Sequence, residues 1–170
     1  MNKTDTETHL FLDLEGTVIT PVLDGWHNAE ILNLDRVKDV IWKEQPLTVN
    51  IFSFALHTEA DLSSFNGRIR NALEKELGVE FTWAPIVSQI KAAVCASRKL
   101  HPGKVDLDDL SSFFSKHESF RLFVREYTRF PTARNAHRKF ILMDDNVWNE
   151  KWSWEDRNVS GEIIHVPFFD

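Results

Sequence analysis

The 170-residue chain is 42% hydrophobic and 27% charged, values typical of a globular protein with a sizeable core, which excludes a disordered chain. Its formal net charge of −6 argues against broad, sequence-independent binding to nucleic acid, and no apolar stretch approaches the roughly 20 residues of a membrane-spanning helix. The single cysteine, Cys95, excludes an intramolecular disulfide and a cysteine-based zinc site.

The chain is expected to form one domain over residues 1–170. Residues 1–8 are polar and lack the apolar core of a signal peptide, so we expect a flexible N-terminal tail and a cytoplasmic protein. A first strand follows as an apolar run that ends directly before Asp13-Leu14-Glu15-Gly16-Thr17. Residues 17–26, which include a proline and a glycine, predict a turn or small hairpin.

Helices and strands alternate through the rest of the chain. In order, the predicted elements are a helix from residue 29 to about 44 capped by Asn28, a strand over 47–56, a helix from about 61 to 77, a short strand over 79–83, a helix that begins at Pro85, helices over 106–114 and 118–129, and strands over 140–143 and 162–166. The run 47–56 is nearly continuous in apolar residues, as expected for a parallel strand buried on both faces. The alternation predicts an α/β fold with a mostly parallel, Rossmann-like sheet and helices on both faces.

Two predicted strands end in pairs of acidic residues. Asp13 and Glu15 follow the first strand, and Asp144 and Asp145 follow the strand over 140–143. Ligands of open α/β sheets bind at the carboxyl ends of strands, and four carboxylates that share a pocket there require a cation to offset their repulsion. Oxygen ligands beside a phosphate are typical of Mg²⁺ sites. The sequence therefore indicates a magnesium-assisted phosphoryl site; solvated strand ends or helix caps are the alternative interpretation.

These motifs resemble those of the haloacid dehalogenase (HAD) superfamily, whose first motif is Asp-x-Asp-Gly-Thr after a strand. Asp13-Leu14-Glu15-Gly16-Thr17 differs from it at one position, where its glutamate is similar to that of the enolase-phosphatase branch. The resemblance implies that Asp13 is the nucleophile and that Glu15 is the general acid, which later activates water. Asp144 and Asp145 match the fourth motif and would hold Mg²⁺ together with Asp13 and Glu15, the latter through its backbone carbonyl.

The second and third family motifs supply a hydroxyl and a lysine to the phosphate. Ser53, near the end of the second predicted strand, matches the second motif, and Thr58 is the alternative. Lys116 lies 28 positions before the second acidic pair and matches the third motif, with Lys104 and Lys139 as alternatives. The resemblance thus assigns Lys116 to catalysis and substrate binding and Ser53 to substrate binding.

The spacing of the motifs bears on the substrate. Only 40 positions separate Asp13 from Ser53, too few for a helical cap domain, so the resemblance implies an enzyme without a large cap and with an open site. Such sites serve bulky phosphorylated partners, a macromolecule or a nucleotide, or are closed by another subunit. The resemblance therefore implies a Mg²⁺-dependent phosphatase that hydrolyses a phosphomonoester through an aspartyl-phosphate intermediate. The alternative is a catalytically weak or inactive HAD-like binding or regulatory module.

The remaining aromatic and histidine residues are interpreted as structural. Trp148 and Trp152 are four positions apart and are expected to pack the last strand against the sheet rather than to stack on a substrate. The histidines, His117 among them, show no ligand spacing, and no zinc site is expected.

Overall fold

The computed structural model describes residues 6–101, 103, 115–128, 136–146 and 152–167. The strands are β1 Thr6–Leu12, β2 Thr48–Ile51, β3 His137–Asp144, β4 Ser153–Asp156 and β5 Val159–His165. The helices are α1 Asp35–Glu44, α2 Glu59–Ser64, α3 Arg70–Leu77, α4 Val87–Arg98 and α5 Lys116–Thr128. A 3-10 turn spans Trp26–Asn28, and a π-helical turn over Phe65–Ile69 joins α2 to α3. Within these ranges no helix has the length and apolar character needed to cross a membrane.

The strands form one sheet in the order β2-β1-β3-β5-β4. The first four strands of this order are parallel, and β4 is antiparallel to β5. The predicted α/β fold with a mostly parallel, Rossmann-like sheet is therefore confirmed. Because β2 and β3 lie on opposite sides of β1, the strand order reverses there, and the carboxyl ends of β1 and β3 flank the crevice where such sheets bind ligands.

Side chains that alternate along β1 build two cores, one on each face of the sheet. Leu10 and Leu12 point to a mainly aliphatic cluster that includes residues of α1 and α3. Phe11 points to an aromatic cluster that includes residues of α4 and α5. The helices therefore cover both faces, as predicted.

The aromatic cluster positions the start of α5 against the sheet. The ring of Phe120 lies 5.3 Å from that of Phe11, in an edge-on contact, and the ring of Phe123 lies 5.3 Å from that of Phe52. Both α5 residues are fully buried. An edge-on aromatic contact stabilises the fold by about 1 kcal/mol beyond the free energy gained from burying apolar area. This packing fixes the first turn of α5, with Lys116, at the carboxyl edge of the sheet.

The polar N-terminal segment is part of the sheet. Thr6, Glu7 and Thr8 pair in register with β3, so the predicted tail over residues 1–8 is wrong for these three residues; residues 1–5 lie outside the described residues. Strand pairing uses backbone groups, which is why polar side chains did not prevent it.

The first helix starts later than predicted. Thr20 N–H donates to the Glu30 carbonyl (2.9 Å) and Leu32 N–H donates to the Val18 carbonyl (3.0 Å), so residues that were expected to begin a helix pair with the preceding segment. The helix begins only at Asp35, and Asn28 ends the 3-10 turn instead of capping α1. All residues between β1 and β2 are described, and they hold no cap domain.

The middle elements differ from the predictions at their boundaries. The second strand ends at Ile51, and the predicted strand over 79–83 contributes one isolated bridge, between Val49 and Phe81. The predicted helix over 61–77 starts at Glu59 and is interrupted at Gly67, whose ψ of −122° is not helical. The helix expected from Pro85 begins at Val87.

The C-terminal third differs from the predictions in two elements. The helix expected from residue 118 begins at Lys116, because the Ser115 hydroxyl accepts a hydrogen bond from Glu118 N–H (3.1 Å). Strand β4 was not predicted; it forms a hairpin with β5, and its turn includes Arg157 at a φ of 48°. The predicted helix over 106–114 lies outside the described residues.

Candidate functional site

Three of the four predicted carboxylates meet at the carboxyl ends of β1 and β3. Asp144 ends β3, and Asp13 follows β1, with its N–H donating to the Met143 carbonyl (2.9 Å). One oxygen from each of Asp13, Asp144 and Asp145 lies within 4.8 Å of the others. Asp13 is 4% exposed and Asp144 is fully buried. Strand pairing thus brings together side chains that are more than 130 positions apart.

A tight turn after β1 makes room for this cluster. Thr17, Val18 and Ile19 N–H all donate to the Leu14 carbonyl, at 3.2, 2.9 and 3.0 Å. Gly16 has a φ of +76°, and a Cβ built on it would overlap the Asp145 carboxylate. Glycine is required at this position both by the backbone conformation and by the proximity of Asp145.

Thr17 joins the loops that follow β1 and β3. Its hydroxyl accepts a hydrogen bond from Asp145 N–H (3.0 Å) and donates to Asp13 Oδ2 (3.4 Å). The residue is buried. The sequence reasoning gave Thr17 no role beyond its place in the motif; the structure shows that it holds the two acidic loops together.

Lys116 is the lysine that reaches the carboxylates. Its Nζ lies 2.6 Å from Asp13 Oδ1 and 3.4 Å from Asp144 Oδ2. Of the two alternatives, Lys139 is engaged elsewhere, with Nζ 2.9 Å from Glu44 and 3.1 Å from Glu162, and Lys104 lies outside the described residues.

Ser53 is in the site and Thr58 is not. Ser53 is buried, lies near enough to Asp13 for its hydroxyl to lower the pKa of that carboxyl, and lines the same cavity. Thr58 is exposed at the N-cap of α2, where its hydroxyl accepts a hydrogen bond from Asp61 N–H (3.3 Å). The order of the motifs therefore selected the correct hydroxyl for the cavity.

The Glu15 carboxylate lies apart from the three-carboxylate cluster. Its Oε1 accepts a hydrogen bond from Val22 N–H (2.7 Å), which turns the side chain toward the loop after β1. Glu15 still lines the cavity. The carboxylate is thus not part of the three-carboxylate group. The predicted contribution of Glu15 to the metal through its backbone carbonyl, and its role in proton transfer, stay predictions.

These residues surround an open cavity of about 500 Å³. Its lining residues are Asp13, Glu15, Ser53, Phe54, Ala55, Ser115, Lys116, His117, Asp144, Asp145 and Asn146. Ser115, Lys116 and His117 stand at the N-terminal end of α5, where the helix dipole favours an anion. The cavity therefore combines an acidic floor with one wall suited to a phosphate.

His117 is one of the lining residues that the sequence did not identify as part of the site, and it is the one with a titratable side chain. Its Nε2 lies 3.9 Å from Asp144 Oδ2, and its ring centroid lies 6.0 Å from that of Trp152. Burial lowers the pKa of His117, with the Asp144 charge opposing, so the imidazole is neutral at neutral pH. Its position beside Lys116 in the sequence was the available signal. Trp152 packs against the aromatic cluster, as expected, and Trp148 lies outside the described residues.

The site carries more negative charge than Lys116 balances. Burial raises the pKa of Asp13, with the Lys116 charge opposing, and burial together with Asp13 and Asp144 raises the pKa of Asp145 to about 6. Burial would lower the pKa of Lys116, but the charges of Asp13 and Asp144 more than offset it and keep the ammonium protonated. One ammonium among three carboxylates leaves the cluster electronegative.

The donor set fits a hard divalent cation. Asp144 Oδ2 is buried and forms an ion pair with Lys116 Nζ at 3.4 Å, but it accepts no hydrogen bond of good geometry from the described residues. Together with one oxygen each from Asp13 and Asp145 it forms an all-oxygen group of the kind that Mg²⁺ prefers. A bound cation would give this oxygen a further partner and offset the excess negative charge.

Comparisons of the chain with protein-family models, curated proteins and solved structures find no match. Evidence on the chemistry of the site therefore comes from the geometry of its own residues.

Proposed function

We propose that the protein is a Mg²⁺-dependent phosphatase of the HAD type, which hydrolyses a phosphomonoester through an aspartyl-phosphate on Asp13. The observation that carries the proposal is the pairing of Asp13 Oδ1 with Lys116 Nζ at 2.6 Å, inside a cluster of three carboxylates on the floor of an open cavity. Such a group supplies a nucleophile, a fixed cation and metal ligands at one point. The phosphorylated partner and the cytoplasmic location stay predictions from the sequence.

The proposed reaction assigns the nucleophile to Asp13 and the proton transfers to Glu15. An Asp13 carboxylate oxygen attacks phosphorus, the bond from phosphorus to the leaving oxygen breaks, and Glu15 donates a proton to that oxygen. Water then attacks the phosphorus of the acyl phosphate, Glu15 takes its proton, and the bond to Asp13 breaks. Asp13 and inorganic phosphate are released, and Glu15 is again protonated for the next cycle.

The other cavity residues offset the charge of the transferred group. Lys116 holds an ammonium beside Asp13, and the Ser53 hydroxyl, which lines the same cavity, donates a hydrogen bond to the bound phosphate. Mg²⁺ would be held by Asp13, Asp144 and Asp145 and supplies positive charge to the phosphoryl oxygens when bound.

The alternative, a weak or inactive HAD-like binding or regulatory module, has one observation in its favour. The Glu15 carboxylate already accepts a hydrogen bond from Val22 N–H at 2.7 Å, which restrains the group that must transfer protons. In that case the site would bind phosphate and Mg²⁺ without turnover.

Hydrolysis of an aryl phosphate with and without Mg²⁺ tests the proposal. We expect Asp13→Asn to lose about 10⁴-fold or more in rate, because the nucleophile is removed. Asp24→Asn, a matched change at an exposed aspartate in the loop after β1, should keep full activity. Circular dichroism checks that both variants are folded. Full activity of Asp13→Asn would refute the nucleophile assignment.

Thermal unfolding with Mg²⁺ and beryllofluoride separates the two functions. A ligand present at 100 times its dissociation constant stabilises the native protein by about 2.7 kcal/mol. We expect this shift in the wild-type protein and its absence in Asp13→Asn. A shift without any turnover would favour the binding module, whereas the absence of both would refute the phosphoryl site.

A further inference from the structure

A second cavity adjoins the site on the side of Glu15. It measures about 250 Å³ and is lined by Glu15, Gly16, Pro21, Leu23 and Asp145. Glu15 and Asp145 also line the larger cavity, so the two spaces share a wall. Pro21 and Leu23 supply the apolar side of the second cavity.

The loop that carries Pro21 and Leu23 is held in one conformation. Val22 N–H donates to Glu15 Oε1 (2.7 Å), and Gly25 N–H donates to the Val22 carbonyl (2.8 Å). The Val22 side chain packs against the aliphatic core, while its neighbour Leu23 is 91% exposed. The same hydrogen bond therefore positions both the proton donor and the apolar wall, and the cavity is formed before a ligand arrives.

We propose that this second cavity binds an apolar leaving group of the phosphomonoester, an aromatic ring or a short alkyl chain, with Leu23 and Pro21 as specificity-determining residues. The inference rests on the proposed function, because it takes Glu15 as the proton donor. A general acid must lie within about 2.6–3.2 Å of the atom that it protonates. The oxygen atom of the leaving group therefore lies beside Glu15, and the second cavity is lined by the same residue.

The size and charge of the cavity define the class of leaving group. An apolar cavity of about 150 Å³ holds benzene, so about 250 Å³ accommodates one ring with its linking atoms. The Glu15 and Asp145 carboxylates disfavour an anionic leaving group, such as one that carries a further phosphate. An exposed leucine by itself does not indicate a binding site. This leucine does, because it forms part of the wall of a cavity next to the proton donor.

Binding of two phosphonates by calorimetry in the presence of Mg²⁺ tests the inference. Neither compound can be hydrolysed, so the measurement does not depend on turnover. We expect wild-type protein to bind benzylphosphonate about tenfold more tightly than methylphosphonate, since contact with an apolar pocket discriminates on this scale. Leu23→Ser should reduce the ratio to about twofold. Leu47→Ser, the same change at a leucine that is 66% exposed before β2, should leave the ratio unchanged.

The inference would be overturned by equal affinity of the wild-type protein for both phosphonates, by an unchanged ratio in Leu23→Ser, or by an equal loss in Leu47→Ser. An unchanged ratio in Leu23→Ser would place the ring on the opposite side of the larger cavity, near Phe54. Failure of both phosphonates to bind would overturn the inference together with the phosphate site. Selective binding without hydrolysis of any ester would support the apolar subsite and refute the phosphatase activity alone.

Discussion

Two lysines, Lys116 at the start of α5 and Lys139 in β3, each contact two carboxylates, and only Lys116 belongs to the proposed site. The Lys116 cluster comprises Lys116, Asp13, Asp144 and Asp145 at the carboxyl edge. The Lys139 cluster comprises Lys139, Glu44 and Glu162, where β3 meets α1 and β5. The ion-pair distances are similar, 2.6 and 3.4 Å in the first and 2.9 and 3.1 Å in the second. Distance alone does not distinguish a structural ion pair from a reactive one.

Burial and charge balance do distinguish them. The Glu162 side chain is 37% exposed, so water screens the Lys139 cluster and its ion pairs are worth little. Asp13 and Asp144 are buried, and Asp144 Oδ2 lacks a hydrogen bond within the described chain. An unbalanced buried charge costs stability, and a fold retains such a group where its reactivity is used. The comparison can be tested by matched changes in both clusters.

Replacement of the two lysines by methionine should give the largest contrast. Lys116→Met removes the ammonium beside Asp13, and we expect a loss of about 10²- to 10³-fold in kcat. Lys139→Met should change kcat by less than about threefold. Steady-state kinetics on an aryl phosphate, with circular dichroism to check folding, measures both. Equal losses in the two variants would show that the clusters do not differ in role.

The glycine beside Asp145 should show the next largest effect. Gly16→Ala and Gly78→Ala both place a side chain at a φ near +70°, which costs about 1 kcal/mol. A Cβ at Gly78 meets no atom within 4 Å, whereas one at Gly16 overlaps the Asp145 carboxylate. We expect urea unfolding to show a loss of about 1 kcal/mol for Gly78→Ala and about 3 kcal/mol for Gly16→Ala. Only Gly16→Ala should also weaken the Mg²⁺-dependent shift in unfolding temperature; an equal effect on both would contradict the close packing against Asp145.

Neutralising one carboxylate in each cluster should give small effects of opposite sign. The folded-state pKa of Asp145 is raised from 3.8 to about 6, so the folded protein binds this proton more tightly and loses stability as the pH rises from 3.8 to about 6. Asp145→Asn should therefore stabilise the metal-free protein at pH 8, by about 1 kcal/mol once solvent screening is allowed for. Glu162→Gln should cost at most about 0.5 kcal/mol.

Urea unfolding in EDTA as a function of pH checks the signs. The gain in Asp145→Asn should shrink as pH falls from about 6 toward 3.8, because the wild-type carboxyl then becomes neutral as well. Addition of Mg²⁺ at pH 8 should stabilise wild-type protein and leave Asp145→Asn nearly unaffected. Destabilisation of metal-free Asp145→Asn at pH 8 would show that Asp145 is a structural residue.

The sequence was sufficient to predict four strands of the sheet but not the edge strand β4. Continuous apolar runs predicted β1, β2 and β3 because strands buried on both faces must be apolar throughout. Strand β4 escaped prediction because it is a partly exposed edge strand, with acidic residues at Glu155 and Asp156 and no comparable apolar run. The start of α1 was misplaced because residues 29–32 pair with residues 18–20, a contact that helical periodicity does not report.

The site residues that follow strands could be predicted from the sequence. His117, which the packing of a helix brings to the cavity, could not. Asp13, Asp144 and Asp145 follow apolar runs, so topology alone brings them together. His117 reaches the cavity through the packing of α5 against the sheet, which depends on aromatic contacts between segments distant in sequence. The rotation of Glu15 toward Val22 depends on the loop conformation, which no motif specifies.

The hydroxyl of Thr17 spans the gap between two loops that are 128 positions apart in the chain. The hydrogen bond that it accepts from Asp145 N–H forms only after β3 has docked beside β1, and closing so long a segment is a slow step in folding. The three carboxylates of the cluster therefore come together only when β3 has docked. Recovery of activity during refolding therefore reports the docking of the third strand, whereas recovery of helical signal reports earlier, local events.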